Sequence, residues 1–406
     1  MQRGVVRLGG WTGAVAMVGV AVVLGLGAPA TAGQVADTSQ PKTWSFTQAQ
    51  VGDAQQRGFG GKGVVIAVVD GFVDETHPDF RVDPGGPGTA SRVTTGANCR
   101  TGSCVRGSAP PDGCGHGTHV AGTIAGATYG IAPQATILPV TVLAQDTNGS
   151  CSGSPEAVAA GIIWAANHGA AIINVSLGDT NGPALLQGPA VTAAVRAAAN
   201  TGALVVAAAG NNGNSAGAPN YGSNALIVAA TGPDGQLASY SNRGFHVELA
   251  APGGDAGSAS CSPETCIAST WLDHGFALLS GTSMAAPVVS GTAALMLAAN
   301  PRLSRTGLMS ALESTAVPLP GTTAGLVDVN AAVSDALGIA PADSSSAPTP
   351  SSSPTKLVVP ASRMPAVPTA SPGGGHDGPD GPWQVALLLV IAMGIASGAA
   401  LMNRSS

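Results

Sequence analysis

Charge is scarce in this chain. Asp, Glu, Lys and Arg together make up 9% of its 406 residues, the net charge is −6, lysine is scarce and no basic cluster occurs. A nucleic-acid surface needs clustered Lys and Arg to displace counterions, so that partner class is excluded. No internal repeat is evident. What is abundant is apolar and small: hydrophobic residues reach 44%, and there are 58 glycines. That suffices for a large core, in one domain with appendages or in two domains.

The two ends differ from the middle. Residues 1–32 read as an export signal, with Arg3 and Arg7 ahead of an apolar stretch from Trp11 to Leu26. Ala28-Pro29-Ala30-Thr31-Ala32 then predicts cleavage after Ala32; the alternative is an uncleaved membrane helix. Residues 383–402, WQVALLLVIAMGIASGAALM, carry no charge over a length that spans a bilayer. Trp383 suits one interface and Arg404 follows the other, which predicts a single-pass anchor with residues 403–406 inside the cell. A buried core helix is the alternative. Residues 341–382, rich in Pro, Ser, Gly and Ala, have no apolar period and read as a flexible stalk. The exported body is then about 33–340: a short N-terminal extension, 33–50, and a domain, 51–340.

Within the body, near-continuous apolar runs alternate with small-residue helical stretches. The runs are Gly63–Val69, ending at Asp70, then Ala135–Val142, Ala170–Val175, Ala203–Ala208 and Ala225–Ala230. Runs of that kind suit strands covered on both faces. Helix candidates lie between them at His116–Ala127, Ser154–His168 and Gly188–Thr201. The alternation predicts an α/β fold, a doubly wound and mostly parallel sheet flanked by helices. Ligands on such sheets bind beyond the carboxyl ends of the strands, which directs attention to Asp70.

Three segments gain meaning together. VVDGFVDETHPDF (68–80) closes a strand on Asp70, GCGHGTHVAGTIAG (113–126) opens a helix on His116, and GTSMAAPVVSG (281–291) opens another near Ser283. Alone, Asp70 reads as a turn or cap, His116 as a packed histidine and Ser283 as an N-cap. In combination they supply a hydroxyl nucleophile, an imidazole base and a carboxylate that holds the imidazole in one tautomer. Small neighbours leave room for a peptide backbone, and a helix N-terminus favours the anion that forms.

These segments resemble the active-site blocks of the subtilisin-like serine proteases, whose chain order is Asp, His, Ser. The resemblance extends through AAIINVSLG (170–178), VVAAAGNNG (205–213), ASYSNRG (238–244) and ELAAPGG (248–254), over about residues 43–335. It implies a subtilisin-like fold and a serine endopeptidase acting on proteins or peptides, without cofactor. Asp70 would orient the base, His116 act as base and then acid, and Ser283 attack. Asn211, which otherwise reads as part of an Asn-Asn-Gly turn, would donate its amide to the oxyanion. Ser176, Leu177 and Gly178 would form one wall of the primary specificity pocket, and Ala208, Ala209 and Gly210 the other. The floor is expected from 213–224. Small, uncharged walls imply an apolar or medium-sized side chain before the cut.

Other residues qualify this picture. His119 follows His116 at a zinc-compatible spacing, but Gly117 and Thr118 occupy the gap and no H-E-x-x-H glutamate is present, so a structural role is expected. His77 likewise resembles a structural family residue. Asp79 resembles a calcium-holding carboxylate of some relatives, yet the loop GATYGIAP is too short to complete the site, and no metal is expected. The family's Asp-Ser/Thr-Gly turn is here Asp70-Gly71-Phe72, which removes a hydroxyl and adds bulk; Asp74 is the alternative acid.

Six cysteines in an exported chain imply disulfides, with 15 formal pairings. The expected pairs are Cys99–Cys104, Cys261–Cys266 and Cys114–Cys151. About a dozen residues separate Ala32 from Trp44, too few for a propeptide domain. Signal, short extension, protease, Pro-rich stalk and membrane helix resemble the mycosins, subtilases associated with type VII secretion. A structural role in a secretion-system complex is therefore the alternative function. A lipase-like hydrolase is excluded, because Ser283 lacks G-x-S-x-G and the chain order is wrong.

Overall fold

A computed structural model describes residues 43–83, 90–147, 149–178, 185–213, 217–257 and 259–338. The expected export signal, stalk and membrane anchor lie outside the described residues. Residues 1–35 and 36–406 separate into two units, and every described residue belongs to the second.

Eight helices are described: α1 Trp44–Gln48, α2 Val51–Gln56, α3 His116–Ala125, α4 Pro155–Asn167, α5 Pro189–Asn200, α6 Thr282–Ala299, α7 Arg305–Thr315 and α8 Val329–Ala336. The first strands are β1 Val65–Asp70, β2 Ala97–Asn98, β3 Val105–Arg106, β4 Thr136–Thr141, β5 Ala144–Gln145 and β6 Cys151–Ser152. They are followed by β7 Ile172–Val175, β8 Leu204–Ala208, β9 Ala225–Thr231, β10 Leu249–Pro252, β11 Ile267–Thr270, β12 Phe276–Leu279, β13 Val317–Pro318 and β14 Gly325–Leu326.

Ten strands form one sheet in the order β13-β14-β10-β9-β8-β7-β1-β4-β2-β3. The inner strands, β10 through β4, run parallel, and antiparallel pairs close both edges at β2–β3 and β13–β14. The doubly wound, mostly parallel sheet expected from the alternating runs is the fold observed. Two hairpins, β5–β6 and β11–β12, stand apart from the main sheet. Their strands of two and four residues are too short to register as apolar runs.

Alternate residues explain the three layers. In β1, Ile66 and Val68 face a core shared with α3, α6 and α8, while Ala67 and Val69 face a core shared with α4 and α5. Burial on both faces is why β9 is apolar or small along its whole length and buried at all seven positions. α6 runs through the first core, with 83% of its length buried. It is apolar and long enough to cross a membrane, but it is the central helix of a packed domain.

Helix α3 stops at Ala125, two residues before the apolar pattern does. The N–H groups of Ala127 and Thr128 turn to Asp79 instead: Ala127 donates to its carbonyl at 3.0 Å and Thr128 to its carboxylate at 3.2 Å. The three expected disulfides are all formed. Strand order reverses about β1, which lies between β4 and β7, so a crevice is expected beyond the carboxyl end of β1.

Candidate active site

Asp70 is the last residue of β1 and is fully buried. One carboxylate oxygen, Oδ1, accepts the Gly71 N–H at 2.6 Å and lies 2.7 Å from His116 Nδ1. The other, Oδ2, has no hydrogen-bond partner among the described residues. Asp74, the alternative acid, is committed elsewhere. Its Oδ1 accepts the Thr76 N–H at 3.0 Å and the Thr76 hydroxyl at 2.6 Å, an ordinary Asx turn.

His116 opens α3, and about a quarter of its side chain is exposed. Burial opposes the imidazolium, but the charge and hydrogen bond of Asp70 outweigh that cost and raise the His116 pKa above its ordinary value. With Nδ1–H directed at Asp70, Nε2 is left as the basic nitrogen. Helix α3 reaches so near β1 because it is built of small residues. A Cβ on Gly117 would stand 2.9 Å from the carbonyl carbon of Gly71. Thr118 adds a clasp: its hydroxyl donates to the Phe72 carbonyl at 3.2 Å and accepts the Asp74 N–H at 2.9 Å. Phe72 is buried and lines a small crevice together with Val73 and Pro139.

Ser283 is the second residue of α6 and is 8% exposed. Gly281 precedes the helix at φ 155°, ψ 161°, a region essentially restricted to glycine. A Cβ there would also touch Asn211, with Nδ2 at 3.4 Å. Asn211 has its amide orientation settled by its neighbours. Both the N–H and the hydroxyl of Thr282 lie 2.9 Å from the same Asn211 atom, which must be the acceptor Oδ1. Nδ2 therefore points away from Thr282 with both hydrogens available. Ser283 Oγ and His116 Nε2 make no direct hydrogen bond in this state, a spacing that commonly tightens when substrate binds.

Asn242 is a residue that sequence reasoning passed over inside SYSN. It is buried, donates Nδ2–H to the Ala209 carbonyl at 2.9 Å and accepts the Asn212 N–H at 3.1 Å. Its own N–H donates to the Gly210 carbonyl at 2.9 Å. Asn242 thus holds the 209–212 segment that presents Asn211. The signal was a buried polar residue that must be satisfied, and burial is not visible in a loop sequence.

Beside Asn211 opens a shallow cleft. Leu177, Gly178, Ala208, Ala209 and Gly210 all line it. Gly217 and Pro219 come from the expected floor segment, whereas Leu186 and Gln187 were not foreseen. Among the described residues, no charged side chain lines it. Ser176 is buried and does not line the cleft; its hydroxyl accepts from Asn174 Nδ2 at 2.8 Å, and Asn174 Oδ1 accepts from Ser290 of α6 at 2.8 Å.

The remaining expectations resolve locally. His119 is fully buried, and its Nε2–H is shared between the Ile267 and Ala277 carbonyls at 3.1 and 3.2 Å. Burial and the nearby His116 lower its pKa to about 3, so it is neutral and structural. His77 Nε2 meets the Gly275 carbonyl at 2.9 Å, and burial lowers its pKa. Asp79 accepts the Thr128 hydroxyl at 2.6 Å, while Arg92 donates to its backbone carbonyl at 2.8 Å.

Comparison with known proteins gives a consistent result. The model of the subtilase family, Peptidase_S8, matches residues 61–346. The chain is 36% identical to Subtilisin Savinase of Lederbergia lenta, over 72% of this chain and 99% of the relative. It is 41% identical to Thermitase of Thermoactinomyces vulgaris, over 64% of this chain and 84% of the relative. Among solved structures, a cold adapted subtilisin-like serine proteinase superposes with a TM-score of 0.54 at 33% identity. That match covers 67% of this chain and 90% of the other.

Proposed function

The chain belongs to the subtilase family and is a serine endopeptidase of the subtilisin type, and on that premise we propose that Asp70, His116, Ser283 and Asn211 carry its chemistry. His116 Nε2 takes the proton of Ser283 Oγ as the oxygen attacks the carbonyl carbon of a peptide bond. Asp70 remains ionised and stabilises the imidazolium. The tetrahedral oxyanion accepts hydrogen bonds from Asn211 Nδ2 and the Ser283 backbone N–H, at a helix N-terminus that favours negative charge. The imidazolium then protonates the leaving nitrogen, the C–N bond breaks, and an ester to Ser283 remains. Water, deprotonated by His116, attacks that ester and regenerates the hydroxyl.

The observation that supports this reading most is the 2.7 Å contact between His116 Nδ1 and a fully buried Asp70. A buried carboxylate beside an imidazole is costly unless the pair is used or fully satisfied, and Asp70 is not fully satisfied. For the substrate, we take Leu177, Gly178, Ala208, Ala209 and Gly210 as the pocket walls, with Ser176 bracing them from behind. The lining, uncharged among the described residues, suits an apolar or medium-sized side chain before the cut. A fluorophosphonate probe tests the nucleophile. Labelling of the native protein, absent after heat denaturation and in Ser283→Ala, is expected. A folded domain that never labels overturns the reading and favours the structural role in a secretion complex.

Residues 1–32 and 383–402 support export and tethering, with the protease domain outside the cell and the stalk between. Membrane retention through an alkaline wash, lost on deletion of 383–402, is the expected result. Release of the intact chain by the wash would remove the tether.

A further inference from the structure

Gly71, the residue after Asp70, has no side chain, and another side chain fills the space one would need. A Cβ on Gly71 would overlap Cys114 Sγ, and would lie 3.3 Å from the Cys114 carbonyl oxygen. The sulfur thus occupies the place that a residue 71 side chain would need. Cys114 is fully buried and stands two residues before His116, at the start of α3.

Cys114 does not reach Gly71 as a free side chain. It is bonded to Cys151 of β6, and Cys151 is exposed. The turn that carries Cys114 is held from the other side as well. Asp112 Oδ1 accepts the Cys114 N–H at 3.0 Å, and its Oδ2 lies 2.7 Å from the Arg100 guanidinium. Gln145, opposite Cys151 in the β5–β6 hairpin, donates its N–H to Asp112 Oδ2 at 3.2 Å. The same excursion begins at Asp70, whose carbonyl accepts the Val142 and Leu143 N–H groups at 2.8 and 3.2 Å. Val142 and Leu143 are therefore tied to the backbone of Asp70, and Cys151, further along, is joined by the disulfide to the sulfur packed on Gly71.

This enclosure matters because the side-chain restraints on Asp70 are few. Its Oδ1 takes two partners and its Oδ2 takes none among the described residues. Two hydrogen bonds to a single oxygen constrain the carboxylate less than bonds to both oxygens would. Steric contact has to supply what is missing.

We propose that the Cys114–Cys151 disulfide is a positioning element for the Asp70–His116 pair, with Cys114 Sγ wedged against Gly71 so that the turn after β1 and the start of α3 keep one separation. The proposal rests on the roles given above to Asp70 and His116. Cys114 touches neither substrate nor reacting atoms and acts through the pair. Misplacement of a catalytic group by an ångström costs up to about a hundredfold in rate, which sets the scale of the effect.

The experiment compares the full chain with Cys114→Ala/Cys151→Ala, using Cys99→Ala/Cys104→Ala as a control for loss of a disulfide elsewhere. Measurements are made well below the melting temperature of every variant. For Cys114→Ala/Cys151→Ala, kcat on a peptide substrate falls by about ten- to a hundredfold with KM little changed. The control keeps the wild-type kcat. NMR titration of the His116 ring, which needs no turnover, moves toward the ordinary imidazole range in the double variant. Gly71→Ala alone lowers kcat through collision with the sulfur, and in the double-variant background it costs much less. If Cys114→Ala/Cys151→Ala does not fold, Cys151→Ala leaves the sulfur in contact but unanchored, and the same kcat and titration changes are expected.

Wild-type kcat and an unchanged His116 titration in the folded double variant overturn the proposal and leave the disulfide a stabilising link only. Equal Gly71→Ala effects in both backgrounds overturn the wedge. A wild-type chain with a normal His116 titration that fails to cleave peptides counts against the proposed function instead, and the titration arm still decides the proposal.

Discussion

The two halves of the candidate site are held in different ways. Asp70 and His116 depend on one ionic contact and on close steric fit, between Gly71, Gly117 and Cys114. Asn211 and Ser283 depend on neutral hydrogen bonds, through Thr282, Gly210 and Asn242. Under the roles proposed above, the ionic half changes charge during turnover, and a carboxylate saturated with donors would be a weaker partner for an imidazolium. The neutral half must not change at all, since its donors act by being in place before the oxyanion forms. A titrating pair set by shape thus faces a non-titrating pair set by hydrogen bonds.

The largest expected effect breaks the ionic half. Asp70→Asn keeps the shape but removes the charge and favours the wrong imidazole tautomer, so kcat is expected to fall by about 10⁴-fold. Steady-state kinetics with a peptide substrate measure it. A loss under about tenfold would mean that the carboxylate is not the orienting group.

Next, Asn211→Ala is expected to lower kcat by about 10²–10³-fold, a scale established on subtilisin, a relative of this chain. KM and the pH dependence should stay close to wild type, because no titrating group is touched. A shifted pH profile would show that the halves are not separate.

The smallest effect sharpens the comparison between two histidines one turn apart. His116 is a base only when neutral and its pKa is raised, so kcat/KM should climb through a midpoint above about 6.5. The same shift stabilises the fold below the unfolded pKa, and that stability fades as pH rises through the folded value. His119 has the opposite sign: with its pKa lowered to about 3, it penalises the fold as pH falls below about 6.5. NMR titration of the two rings checks both. A His119 ring that protonates near pH 6 would contradict its buried, shared hydrogen bond to Ile267 and Ala277.

Much of the fold could be read from the chain, because strands buried on both faces must be apolar along their length. The runs ending at Asp70, Val175, Ala208 and Ala230 carry that mark. Boundaries were less legible. α3 ends where Asp79 captures two backbone donors, and no local pattern announces a carboxylate 48 residues upstream of Ala127. The β5–β6 and β11–β12 hairpins were missed because short strands carry no period, although one positions Cys151 and the other carries the carbonyls that hold His119.

By itself the sequence determined the chemistry on offer: an acid, an imidazole, a hydroxyl and an amide, each in a local setting of small residues, together with the alternation that makes a parallel sheet. Those are properties of composition and short-range order. Only the tertiary structure decided which atoms meet. It chose Asp70 over Asp74 as the partner of His116, turned the Asn211 amide by means of Thr282, recruited Asn242, and put a sulfur where Gly71 has no side chain. Such choices depend on distances between segments dozens to hundreds of residues apart, and packing sets those distances only after the chain has folded.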